Sequence, residues 1–551
     1  MISGLRAIGQ RSIHSATAYA NRRGAPLSAL SSFTNLRLSS TQVRDVDFND
    51  GEMAFKSMRF ITLLRALVVF RLCRSPWLVK NSQWLIDISY STFGERMTNT
   101  IMRYTFFGHF CAGEDVSDIG QTVDYLAGNG IGSILDYAAE SDIREAEEEG
   151  RSVEFETPAK LASSRTYSYL DEDLCDKRME TFEKCIRAVH EVSPTGFAAV
   201  KLTALGNPKL LERMSTAIVE IKALFEKFDT VGDGYVTKEE FMEGYAKYFV
   251  TEGKDDAMAA FDLADTEKDG RLDYAEWSSA LVLDNLGAVT SLCKESGPLS
   301  QATLDEEEME LVRKMLERAE SLCELAHSLG VRLMIDAEHT YFQPAIDHVI
   351  STLARTYNKD RATIFSTYQM YLRDSNDRLL NDILKAERDN IYFACKLVRG
   401  AYLTLERSRA EEMGYTDPVH GTIEDTHKAY DSAVKQMIQK VGAGEKKEVM
   451  LATHNQASIE KAMAEMNALG LQLGKDAVYF GQLLGMSDHL TFTLGSKGSG
   501  SAYKYVPYGN VKEVLPYLIR RAEENSDMLA GSVHESKLIW HELTRRANLR
   551  K

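Results

Sequence analysis

The sequence predicts a parallel (β/α)8 barrel with an N-terminal helical arm and an inserted α-helical lobe, and three observations predict it. Eight short apolar runs, near 130–136, 198–204, 332–337, 363–369, 393–398, 448–453, 478–483 and 502–506, alternate with longer amphipathic stretches. Such alternation is the pattern of βα units, and eight of them close a barrel. The interval between the second and third runs is far too long for one helix and carries two twelve-residue loops of the EF-hand type. Ahead of the first run, apolar residues recur only at helical spacing.

The elements follow in order. Residues 1–44 hold six arginines, eight serines and no acidic residue, the composition of a mitochondrial transit peptide. Residues 45–126 read as helices that wrap a larger body, and the apolar run 60–70, broken by Arg65, is too short to span a bilayer. The first part of the barrel covers 127–213, the lobe 214–286, and the remaining barrel with its C-terminal helices 287–551. The acidic run 140–149 and the polar stretch beyond it read as a solvated connection. A helix over 303–329 is expected to open on a Thr303-to-Glu306 capping box, with Met309, Val312, Leu316, Ala319, Cys323 and Ala326 on its apolar face.

In the lobe, loop one runs from Asp229 to Glu240 with Asp233 at position 5 and Tyr235 at position 7. Loop two runs from Asp265 to Glu276 and adds Glu267, Asp269, Arg271 and Asp273. Hard oxygen ligands at alternate positions, a Gly at position 6 and a terminal Glu form a calcium loop. The starts lie 36 residues apart, a spacing that lets Val236 and Leu272 meet between paired loops. Loop one has Val231 where an oxygen ligand is usual, so calcium is expected in loop two.

A net charge of −16 argues against a nucleic-acid partner, which needs a basic face. Seven scattered cysteines form no CxxC pair and suggest buried thiols in a reducing compartment. Gly128-Asn-Gly-Ile-Gly132 precedes a strand instead of following one and is no dinucleotide fingerprint.

Chemistry on a parallel barrel sits at the C-terminal strand ends. Polar residues gather there: Lys201, Asp336 with Glu338, Gln369, Lys396 with Arg399, and His454 with Asn455. Tyr517, Arg520, Arg521 and Glu524 follow the eighth strand at i, i+3, i+4 and i+7. One helix face would therefore present a ring, two guanidinium groups and a carboxylate, a receptor for a small carboxylate ligand. The set is cationic and planar, suited to an anionic cofactor and a small zwitterion.

The segments Gly196–Ala204, Arg332–Glu338, Lys396–Tyr402, Tyr479–Met486, Tyr505–Gly509 and Arg520–Asn525 resemble the proline dehydrogenases, and the likeness spans nearly the whole barrel. It implies a flavoenzyme on a distorted (β/α)8 barrel that oxidises L-proline to pyrroline-5-carboxylate. Non-covalent FAD would accept hydride from proline C5, and ubiquinone at the mitochondrial inner membrane, on the matrix side, would reoxidise it. By the same resemblance, Arg520, Arg521 and Lys201 clamp the proline carboxylate, Asp336 pairs with Lys201 and Glu524 with the arginines. Leu483, Ala401, Tyr402, Tyr505 and Tyr517 line the ring pocket. Gln369, Lys396, Val398, Arg399, Gly400, Ala401, Thr453, His454 and Asn455 contact FAD.

Bacterial relatives tend to have arginine at the position of Lys396, and the family core needs no calcium. Hydroxyproline dehydrogenases share most of these motifs, but tend to have a smaller residue at the position of Tyr505, which favours proline here. Two other readings make contrary predictions. A calcium sensor on an inactive barrel requires broken pocket residues. A glycosidase using Asp336 and Glu338 requires carboxylates on opposing sides of a bond, whereas these two lie in one strand corner. Membrane contact must be peripheral, and the stretch 538–543 with Arg545, Arg546, Arg550 and Lys551 is either such a contact or a helix docked on the barrel.

Overall fold

The computed structural model describes residues 46–138, 169–193, 195–250, 254–280, 292–295, 297, 302, 304–527 and 529–549. Ten strands are present among them: β1 (Ile131–Tyr137), β2 (Phe197–Val200), β3 (Tyr235–Thr237), β4 (Arg271–Asp273), β5 (Arg332–Ile335), β6 (Ile364–Gln369), β7 (Phe393–Val398), β8 (Lys447–Ala452), β9 (Val478–Leu483) and β10 (Ala502–Tyr508). All but β3 and β4 close a parallel barrel in the order β1-β10-β9-β8-β7-β6-β5-β2. The closing seam sets Ile134 opposite Tyr505 on one side and Phe197 on the other.

Side-chain alternation explains the interior. Ile134, Phe197, Met334, Phe365, Ala394, Met450, Tyr479 and Tyr503, one from each barrel strand, form a separate buried cluster that fills the lumen. Their strand neighbours pack outward against the helices in the main core. Arg332 lies over the rings of Phe197 and Tyr479 in the same layer.

Several expected boundaries shift. The second strand stops at Val200, and Leu202–Ala204 form a 3-10 turn, which carries Lys201 out of the sheet at its C-terminal end. The last strand continues to Tyr508, paired along its length with β1. The long helix begins at Glu306, and its capping box joins Asp305 to Glu308 instead of Thr303 to Glu306. The Asp305 carboxylate, two residues further on, accepts from the Glu308 N–H and so sets the start of the helix. All seven cysteines are free. The 1–44 segment and the acidic run at 140–149 lie outside the described residues.

Between β2 and β5, helix Pro208–Phe228 leads into β3, helices Lys238–Tyr248 and Lys254–Ala264, β4 and helix Tyr274–Ala280. β3 and β4 pair antiparallel with Val236 opposite Leu272. Both side chains are buried in a local core with Phe225, Phe228, Phe241 and Phe261. A groove of about 790 Å3 separates these residues from the outer barrel helices Gln343–Tyr357 and Ser375–Arg388. Helix Leu529–Leu549 docks against the body. Ile539 and Leu543 are buried, and Arg546 donates to the carbonyls of Phe55 and Met58 at 2.6 Å each.

Candidate active site

Two residues beyond the lumen layer, on the same strand face, the chemistry changes from apolar to polar. Ile134, Ala199, Met334, Phe365, Ala394 and Tyr503 are followed at i+2 by Asp136, Lys201, Asp336, Thr367, Lys396 and Tyr505. Period-two alternation therefore stacks a charged ring on an apolar plug at the C-terminal mouth. Asp336 joins three strands there: it is gripped by Lys396 and accepts from the Tyr505 hydroxyl at 2.8 Å. Burial, then Asp136 and Asp336, push the Tyr505 phenol well above its usual pKa. Asp336, expected beside Lys201, also bonds to β7 and β10 through Lys396 and Tyr505.

Glu338, two residues along the same corner, is a hub. Its carboxylate accepts from the Thr203 backbone N–H at 3.2 Å and the Thr203 hydroxyl at 2.6 Å. Its N–H donates to Gln343 Oε1 at 2.8 Å, and its carbonyl accepts from Gln369 Nε2 at 2.9 Å. Gln369 Oε1 in turn accepts from the Ala401 N–H at 3.3 Å. The polar ends of β5, β6 and β7 are thereby locked to one another. Burial raises the Glu338 pKa to about 7, opposed by Thr203 and the charge of Lys201.

After β7 the chain turns through Gly400 at φ +147°, where the Tyr371 ring occupies the space a Cβ would need. Arg399 extends from Val398 and spends its donors on Thr453 Oγ1 at 2.7 Å, Ser458 Oγ at 2.8 Å and His427 Nδ1 at 3.0 Å. It braces the ends of β7 and β8 against each other. Asn455 caps helix Gln456–Ala468 by accepting from the Ser458 N–H. His454 shares a hydrogen bond with Ser487 Oγ at 3.1 Å. Burial, with Lys504 and Arg521 nearby, lowers its pKa to about 3, so the imidazole is neutral. The buried Tyr402 ring packs 4.3 Å from His339.

Helix Leu515–Asp527 follows β10, and Tyr517 on it lies near Tyr505 and Asp136 at this mouth. Arg521 forms a forked pair with Glu524, at 2.6 Å to Oε1 and 2.5 Å to Oε2. The guanidinium groups of Arg521 and Arg520 lie 4.9 and 5.9 Å from the Tyr517 ring centre. Tyr517 belongs to a second apolar cluster with Val69, Phe107, Phe110 and Leu518, against which Leu483 packs. The Tyr517 hydroxyl and Arg521 Nε are buried without a hydrogen-bond partner among the described residues. Such groups are costly unless a ligand meets them. Cationic donors, a carboxylate ring and these two groups fit an anionic, acceptor-rich ligand.

The sequence missed Asp136, Thr203 and the buried Lys504. Asp136 has a readable signal, its i+2 relation to the inward-facing Ile134. Lys504 has none, because a lysine inside a strand gives no hint of its partners: it donates to the Leu483 and Met486 carbonyls and pairs with Asp488 at 2.6 Å. The loop-two carboxylates also behave unexpectedly. Arg388, from helix Ser375–Arg388, binds Glu267 at 2.7 Å and pairs with Asp273. Among the described residues no group of three or more His, Cys, Asp or Glu is gathered to hold a metal.

The family model for proline dehydrogenase matches residues 119–532. The chain is 38% identical over 552 residues to human "Proline dehydrogenase 1, mitochondrial", covering 92% of this chain and 91% of the human one. It is 36% identical over 557 residues to the Drosophila melanogaster protein of the same name, covering 91% and 81%. Proline utilization A from Bdellovibrio bacteriovorus has a similar fold, with a TM-score of 0.50 at 15% identity. That likeness covers 87% of this chain and 38% of the bacterial one.

Proposed function

Because the chain belongs to the proline dehydrogenase family, we propose that it oxidises L-proline to 1-pyrroline-5-carboxylate with non-covalent FAD and passes the electrons to a membrane quinone. The observation that carries this reading is the convergence of Asp336, Lys396, Tyr505, Tyr517 and Arg521 on one barrel mouth, with Arg521 Nε and the Tyr517 hydroxyl buried and unsatisfied among the described residues. Bound FAD supplies the hydride-accepting chemistry. Arg520, Arg521 and Lys201 bind the proline carboxylate, and Glu524 keeps Arg521 oriented, so that binding energy places the ring against the oxidant. Tyr505, Tyr517, Leu483, Ala401 and Tyr402 enclose the ring and exclude water. Gln369, Lys396, Val398, Arg399, Gly400, Thr453, His454 and Asn455 form the cofactor side. Within it, Arg399 supports the shape of the site through Thr453 and Ser458. The names of the relatives and the basic N-terminal composition support a mitochondrial location. A purified sample tests the reading: a yellow protein that bleaches on adding L-proline agrees with it, and a colourless one yielding no flavin on extraction opposes it.

Calcium in loop two is a separate proposal of ours. It is supported by the twelve-residue pattern, by positive φ at the position-6 glycines, +86° at Gly234 and +84° at Gly270, and by the Val236–Leu272 pairing. As arranged, loop two does not fit a bound ion, because Glu267 and Asp273 face Arg388. A cation must compete with that arginine. Calorimetric titration with calcium tests this directly.

A further inference from the structure

The exposed large hydrophobics of the described residues concentrate between Phe60 and Tyr104, in helices Phe60–Cys73, Pro76–Lys80 and Ser82–Tyr104. Trp77, Trp84, Phe93 and Tyr104 are 55–77% exposed, an unusual density of large apolar side chains facing solvent. Gly94, at φ +74° and ψ +170°, reverses the last helix into a hairpin. Ser89 meets Thr98 at 3.0 Å, and Tyr90 donates to Asn99 at 2.6 Å across it. Phe93 stands at its tip, and beyond the reversal Met97 and Ile101, four residues apart, share an exposed helix face.

The charge of the same segment is opposite to that of the chain. Residues 60–104 carry six basic side chains against two acidic ones, in a chain of net charge −16. Exposed aromatic and aliphatic groups with interspersed cations match the surface of an anionic bilayer. Among the described residues no helix is long and apolar enough to cross a membrane, so contact there is in the plane of the surface. The inner side of the arm supplies Val69, Cys73, Phe107 and Phe110 to the cluster that holds Tyr517 and Leu518. The arm is therefore packed against helix Leu515–Asp527, which follows β10. The alternative surface, the C-terminal helix, has its apolar side buried and leaves Trp540 exposed.

We infer that the 60–104 helices are the membrane-docking surface of this protein, that they bind anionic lipid, and that they hold the mouth of the barrel at the bilayer. The inference deepens the quinone reading, which needs a lipid-borne acceptor near the mouth, but its test needs no turnover. Sedimentation of the full chain with phosphatidylcholine vesicles, with and without phosphatidylglycerol, measures partition. The wild type is expected to bind the anionic vesicles and to be released by salt. The combined variant Trp84→Ser, Phe93→Ser, Met97→Ser, Ile101→Ser is expected to bind about a hundredfold more weakly, since each large apolar side chain contributes severalfold or more. Trp540→Ser is expected to bind as wild type. Equal partition of wild type and the combined variant overturns the inference, as does a wild-type dimer, detected by light scattering, that the same substitutions dissociate. Proline-dependent flavin reduction at wild-type rate in that variant establishes that its fold is intact. Should the flavin reading itself fail, circular dichroism and the melting temperature serve that purpose, and the vesicle result stands by itself.

Discussion

The Tyr505 hydroxyl donates to Asp336 Oδ2 at 2.8 Å, on the carboxylate that Lys396 grips through its other oxygen. The ring is held by this bond as well as by its packing. Tyr505→Ser removes both, and under the proposed substrate placement it would open space for a hydroxyl on the substrate ring. The expected result is a drop of about 10- to 100-fold in kcat/KM for L-proline and a relative gain for trans-4-hydroxyproline. Tyr505→Phe keeps the ring and is expected to lose much less. Steady-state kinetics on both substrates checks this, and an unchanged ratio in the serine variant removes Tyr505 from specificity.

Arg521 and Glu524 make a two-pronged pair on one helix face, which sets the plane of the guanidinium. Arg521→Lys preserves charge and loses that geometry. KM for proline is expected to rise by about tenfold or more, with a smaller change in kcat, because the proposed carboxylate contact would be made in both ground and transition states. Glu524→Gln is expected to shift KM in the same direction by less. A KM at the wild-type value in Arg521→Lys would falsify the clamp.

The barrel was legible because its strands are short and apolar, and the intervals β5–β6, β6–β7, β8–β9 and β9–β10 each hold a single helix. The site was legible where a polar residue interrupts an apolar strand, as Lys201, Asp336 and Lys396 do. What pattern cannot supply is the partner. Lys396 and Asp336 are 60 positions apart, and only barrel closure brings them together. The same limit hid Arg388 from loop two and gave Arg399 a bracing role among Thr453, Ser458 and His427 that its position alone does not reveal. Boundaries slipped where local capping decides, as at Asp305, whose carboxylate captures the Glu308 N–H.

Glu338 gives a pH dependence with a definite sign. Burial raises its pKa from 4.5 to about 7 in the folded chain. Between those values the folded state binds more protons than the unfolded one, so stability is full below 4.5 and falls as pH rises through 7. The loss is on the order of 3 kcal/mol across that window. Glu338→Gln is expected to flatten this decline, and urea unfolding below, within and above the window reads it. An equally steep decline in the variant assigns the effect to other groups.

Lys504 is fully buried and is balanced by Asp488, which starts helix Asp488–Lys497. Glu535 of the C-terminal helix accepts from the N–H groups of Ser487 and Asp488 at 2.9 and 2.6 Å, which holds Ser487 at φ +51° beside His454. Lys504→Met leaves Asp488 unbalanced in the interior and is expected to cost about 3–5 kcal/mol. The double variant Lys504→Met, Asp488→Leu is expected to recover a large part of that. Denaturant midpoints for the single and double variants decide whether the buried pair is the cause.

Arg388 pairs with Glu267 and Asp273 in loop two, tying the inserted lobe to the helix after β6. These carboxylates stand at positions 3 and 9 of the loop, where a calcium ion takes ligands. The guanidinium and the ion therefore compete for the same oxygens. Arg388→Gln is expected to tighten calcium binding by about tenfold or more, since a charged, hydrogen-bonded competitor is removed. In the absence of calcium the same substitution loosens the lobe, so amide exchange around Val236 and Leu272 is expected to speed up. Adding calcium to Arg388→Gln is expected to restore protection there without restoring the contact to helix Ser375–Arg388. Calorimetry and hydrogen exchange on the two proteins separate the effects. Equal calcium affinity in both would mean that the arginine does not guard the loop.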